Sequence, residues 1–98
     1  MTKPTNPIDA YLIRHPDVKP KDRAKVRECA AKMIRYYRLS DKDKEQIPIA
    51  DRNDTSMIKF YIREQTTLNQ EQRLELALLL DCLAYRAGRG QIAEDIIL

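Results

Sequence analysis

Asn69-Gln70-Glu71-Gln72-Arg73-Leu74-Glu75-Leu76-Ala77-Leu78-Leu79-Leu80-Asp81-Cys82-Leu83-Ala84-Tyr85-Arg86-Ala87-Gly88 reads as one uninterrupted helix. Asn69 suits the N-cap, where its side-chain oxygen can accept from an orphan backbone N–H. Gln70, Glu71 and Gln72 fill the first turn, where the helix dipole favours an acid, and Gly88 stands where a left-handed terminator is expected. On a 3.6-residue wheel Leu76, Leu79, Leu80 and Leu83 share one side, whereas Leu74, Leu78 and Tyr85 fall almost opposite. A helix that is apolar on two faces is either placed centrally or shared with a second chain.

Other helical segments flank it. Pro20 suits a first-turn position, and Val26, Cys29, Ala30, Met33, Ile34, Tyr36 and Tyr37 then recur at three- and four-residue steps up to Leu39-Ser40. Pro7 opens a short helix that should stop near His15-Pro16, because the residue before proline is pushed out of the α region. Ser40 can cap a brief turn from Asp41 to Ile47, which Pro48 ends. Asp54 or Thr55 can cap a segment through Met57, Ile58, Phe60, Tyr61 and Ile62. Its β-branched and aromatic content also suits a strand, yet no partner strand is evident, so helix is preferred. Gln91 to Leu98 reads as a last short helix, and residues 1–6 as a loose polar arm.

Together these predict an all-α fold: a compact four- to five-helix bundle-like single domain over residues 1–98, with the 70–87 helix central. Two glycines, no tryptophan, 43% hydrophobic and 34% charged residues agree with that class and argue against both a turn-rich β-fold and disorder. The longest uncharged apolar run, Leu76 to Leu80, is far short of the roughly 18 residues of a membrane span. No apolar h-region follows Met1, so cytoplasmic residence is expected, with Cys29 and Cys82 as buried free thiols. Asn53-Asp54-Thr55 matches a glycosylation sequon but reads as a helix cap.

Catalytic and metal chemistry finds little support. His15, the one histidine, lies between Arg14 and Pro16 at a helix exit and reads as a surface or capping residue. One His and two separated Cys do not supply the ligand set of a zinc site. Asp41-Lys42-Asp43-Lys44-Glu45 begins like a calcium loop, but Gln46 stands in place of its glycine and Arg52 in place of its bidentate acid. Gly88 and Gly90 both follow the long helix, so no phosphate-cradling loop exists. The expectation is a non-enzyme without cofactor, metal or small-molecule substrate.

Charge is laid out unevenly. Residues 1–39 carry ten Lys/Arg against four acids, a net of +6; residues 40–98 carry eight against eleven, a net of −3, which gives the whole-chain +3. In the second helix Lys21, Arg23, Lys25, Arg27, Lys32, Arg35 and Arg38 surround the apolar stripe, interrupted only by Asp22 and Glu28. Such a face attracts phosphate backbones or acidic protein surfaces, and is also often merely solvated.

Two binding roles follow. The first is a small regulatory or inhibitor-type protein of the size common in bacteria and phage. It would bind an acidic protein surface through the basic 19–38 helix, with Tyr36 beside Arg38 as an anchor, or pair with itself through the second face of the 70–87 helix. The alternative is nucleic-acid binding through Lys44 to Glu64, which has the outline of a helix-turn-helix. Arg52, Asn53, Thr55, Ser56, Lys59 and Arg63 would then make the contacts. Pro48, the absence of a turn glycine, Asp51 and Asp54, and an isoelectric point near 8.9 weigh against it.

Overall fold

The computed structural model describes residues 6–91. In chain order these form α1 (Pro7–Arg14), α2 (Pro20–Tyr37), α3 (Asp41–Gln46), a 3-10 turn (Ile49–Asp51), α4 (Thr55–Gln65) and α5 (Gln70–Gly88), with no strand among the described residues. The fold is all-α, and the segment that also suited a strand is helix α4. The 91–98 segment begins with Gln91, which is not helical, and otherwise lies outside the described residues, as do residues 1–5 of the N-terminal arm.

Local chemistry explains most boundaries. The Asn69 side chain accepts from the Gln72 N–H at 2.8 Å, and the Gln72 side chain accepts from the Asn69 N–H at 3.0 Å, a reciprocal capping box. Asp54 caps α4 through the Met57 N–H at 2.9 Å, and Ser40 caps α3 through the Asp43 N–H at 3.2 Å. Asn6, expected in the loose arm, instead caps α1, accepting from the Ile8 N–H at 2.8 Å.

The terminator of α5 is Gly90 and not Gly88. Gly88 stays within the helix and Gly90 takes the left-handed conformation, φ 68°. The Gln91 N–H reaches the Arg86 carbonyl at 2.8 Å and the Gly90 N–H the Ala87 carbonyl at 3.1 Å. This pair of bonds is a Schellman closure, and it needs positive φ two residues later than the sequence suggested.

One core joins the helices. α2 packs against α1, α4 and α5, and α4 against α5. From α2 come Val26, Cys29, Ala30, Met33 and Ile34; from α5, Leu76, Leu80, Leu83 and Ala87; from α4, Ile58 and Ile62; from α1, Ile8, Tyr11 and Leu12. α3 buries none of its residues. The molecule measures 40 × 38 × 19 Å, so its short dimension holds only two helix layers, each helix being about 10–12 Å across with its side chains. Two layers cannot enclose α5. Its Leu76 side is buried and Leu79 packs against the core edge, while Leu74, Leu78 and Tyr85 are 60%, 72% and 64% exposed. Cys82, expected inside, lies on that outer side and is exposed, whereas Cys29 is buried.

Polar groups pin α1 and the connections. Tyr11, fully buried, donates from its hydroxyl to the Gln72 carbonyl at 2.8 Å. Burial, then the nearby Glu75 charge, pushes its pKa up to about 12. Because the folded state holds this proton more tightly, the associated stability is complete below the unfolded value of 10.0 and is lost as pH rises through about 12. Tyr11→Phe should therefore cost about 1 kcal/mol at neutral pH, and should flatten the decline of stability between those two values. Urea unfolding across the alkaline range reads both.

Candidate binding surfaces

The helical repeat places the basic residues of α2 in two rows rather than on one face. Lys21, Lys25, Lys32 and Arg35 form the outer row, with Glu28 among them. Glu28 bonds Lys32 at 3.0 Å and Lys25 at 3.4 Å, and those contacts, the Lys32 hydrogen bond foremost, hold its carboxyl below the usual range. Arg23, Arg27 and Arg38 form the second row. Arg23 spreads its guanidinium over the carbonyls of Val18, Leu12 and His15, at 2.9, 3.3 and 3.2 Å, and so fastens the α1–α2 connection. Arg27 pairs with Asp9 of α1. Arg38 caps α2, donating its N–H to the Ile34 carbonyl at 3.1 Å.

Asp22 does not interrupt a basic surface. It is 4% exposed and accepts from the Thr67 hydroxyl and, at 3.2 Å, from the Thr67 N–H, tying the first turn of α2 to the α4–α5 connection. The sequence held the signal: Asp22 lies four residues before Val26, on the apolar stripe itself, where a polar residue requires a buried partner.

Near the end of α2 the outer row meets a hollow of about 260 Å³. Lys32, Arg35, Tyr36 and Leu39 line one side, and Ile47, Asp51 and Asn53 the other. Tyr36 is half-buried, its ring edge-on to Tyr37 at 5.1 Å, with Lys44 Nζ 5.9 Å from its centre. Leu39 is 37% exposed, and Ile49, two residues beyond Ile47, is 79% exposed. Of the sequence-proposed partner residues, Lys32, Arg35 and Tyr36 are brought together here, and Arg23 and Arg27 are turned to internal contacts.

The helix-turn-helix candidates are dispersed. Arg52 donates to the carbonyls of Ile47 at 3.0 Å and Glu45 at 3.5 Å, closing the end of α3. The Thr55 N–H donates to Tyr37 Oη at 3.1 Å, Asn53 is half-buried, and Ser56 is exposed. Lys59 is held by Asp81 of α5 at 2.8 Å. None of the residues of α3, which would be the first helix of that motif, is buried. Lys59 and Arg63 instead rim a trough of about 330 Å³ between α4 and α5, opposite Arg73 and Leu74, over a floor of Ile62, Leu76 and Leu80. Arg73 was not singled out by sequence, since it enters only through the packing of the two helices.

His15 is the C-cap residue of α1, and its ring lies 4.7 Å from that of Tyr11. Its Nε2 meets Glu75, which also pairs with Arg14 at 2.7 Å. Among the described residues no group of three or more His, Cys, Asp or Glu side chains is placed to hold a metal ion, and no helix is long and apolar enough to cross a membrane. No family model, curated protein or solved structure matches this chain.

The His15 contact first, then Arg14, holds the Glu75 carboxyl below the usual range. A lowered folded pKa gives stability that is present above the unfolded glutamate value and lost as pH falls through the folded one. Glu75→Gln should thus be less stable than the parent at neutral pH, with the difference vanishing under acid. Thermal melts from neutral pH downward test this.

Proposed function

We propose that the protein is a non-catalytic binding domain that recognises an acidic protein surface through the C-terminal half of α2. The carrying observation is the hollow in which Lys32 and Arg35 stand beside Tyr36, Leu39 and Ile47. Aromatic and guanidinium groups around partly exposed apolar positions are the side-chain types that concentrate binding energy at protein interfaces. Cations at such a rim steer an acidic partner and set its orientation more than they add affinity. Lys21 extends the outer row towards the start of α2, and Arg38 adds charge at its end. Regulatory action by occupancy, activating or inhibiting, is the kind of role that such a domain can carry without chemistry of its own.

The trough rimmed by Lys59, Arg63 and Arg73 favours a second reading, nucleic-acid binding, through phosphate contacts rather than a recognition helix. The phosphate reading requires affinity for DNA that falls steeply with salt and depends on Arg63 and Arg73, whereas the protein reading depends on Lys32 and Arg35.

Lys32→Glu/Arg35→Glu should lower the Tm only slightly, through loss of the exposed Lys32–Glu28 pair, and should lose capture of acidic proteins that the parent retains at low salt. Arg27 is left unchanged in this test because its pairing with Asp9 supports α1. Equal capture by parent and variant would sink the α2 surface. Anisotropy with mixed-sequence duplex DNA completes the test: tight, steeply salt-dependent binding that Arg63→Ala/Arg73→Ala abolishes would replace the protein reading with the nucleic-acid one.

A further inference from the structure

The outer face of α5 carries Glu71, Leu74, Leu78, Cys82, Tyr85 and Arg89 along its length, at the spacing of one helical face. All six are exposed, and the two-layer architecture offers no further helix among the described residues to cover them. The order of the residues along this stripe is informative. An acid stands at its start and a base at its end, with apolar groups between. Glu71 and Arg89 are centred on Leu80, as are Leu78 and Cys82; Leu74 and Tyr85 are centred half a residue before it. On one edge Glu75 and Arg86 obey the same rule, centred half a residue beyond it.

A stripe with that symmetry is complementary to itself when turned end for end. We propose that α5 pairs antiparallel with α5 of a second copy of this chain, about a two-fold axis passing at the level of Leu80. Glu71 then meets the partner's Arg89, Leu74 the partner's Tyr85, and Leu78 the partner's Cys82, and each contact occurs twice because the interface is isologous. Arg89 already lies over the Tyr85 ring at 5.4 Å, so its guanidinium is held at the end of the stripe where the opposing acid arrives. A parallel pairing would set Glu71 against the partner's Glu71 and Arg89 against the partner's Arg89, which like charge disfavours. The contact spans about 27 Å of helix, from residue 71 to residue 89, at about 1.5 Å per residue. One helix pair of that length makes an interface at the small end of the specific range, so association in the micromolar regime is expected.

This pairing uses a different face from the α2 hollow, so either can fail without the other. Sedimentation of the full chain from low micromolar to submillimolar concentration should show a monomer–dimer equilibrium. Leu78→Asp should abolish it with Tm unchanged, since Leu78 is 72% exposed in the single chain. Glu71→Arg and Arg89→Glu should each weaken dimerisation about tenfold, and the double reversal should restore it, because opposite charges again face each other. Under mild oxidation Leu78→Cys should give a covalent dimer through a bond to the partner's Cys82. A monomer at every concentration would overturn the inference, whether the stripe is solvated or covered by residues 92–98 of the same chain. A dimer indifferent to Leu78→Asp, or one that the double reversal does not restore, would overturn the antiparallel register.

Discussion

The apolar stripe of α2 is the surface on which the other helices assemble, and the two residues of its first turn fix how they do so. Asp22 and Arg23 are neighbours in sequence but reach apart. The first secures the α4–α5 connection through Thr67, the second the α1–α2 connection through three carbonyls. Both ties are charge-assisted hydrogen bonds in partly desolvated places, stronger than neutral ones. With those connections held at one end, Val26, Met33 and Ile34 are presented along α2 to the facing residues of α4 and α5. α1 is then fastened across the start of α5 by Tyr11, Arg14 and His15.

Charge that looks available in the sequence is therefore divided between architecture and surface. Arg23, Arg27, Arg52 and Lys59 are occupied within the chain. Arg35 and Arg63 are left at the borders of hollows made by other elements. A net charge of +3 overstates what a partner meets in some places and understates it in others. The trough between α4 and α5 draws its basic rim from both helices, Arg63 of α4 and Arg73 of α5, while Lys59 beside them is held by Asp81.

The helices themselves were legible because their signals are local. Asn69 with Gln72, Asp54, Ser40 and Pro20 mark starts by satisfying or lacking particular backbone N–H groups, and the three- and four-residue spacing of Val26, Cys29, Met33, Leu76 and Leu80 marks the buried sides. Long-range facts were not legible. Whether Arg23 points to solvent or to the Val18 carbonyl depends on where the chain turns after His15, and Cys82 resembles Cys29 until the number of helix layers is known. Gly88 and Gly90 are equivalent as terminators in sequence; the bond from Gln91 to Arg86 chooses between them. The outer face of α5 was visible as a second apolar side, although only the thinness of the molecule shows that nothing within the described fold covers it.

The contrast between the two thiols gives the molecule an internal clock. Cys82 meets solvent in the folded chain, while Cys29 is enclosed between α2 and its neighbours, and burial raises its pKa so that little of the reactive thiolate is present. In the monomer an alkylating reagent should consume the first thiol at once and then wait on the second. The length of that wait is set by how often α2 parts from the helices around it, so two absorbance phases in one cuvette report surface access and the opening frequency of the core.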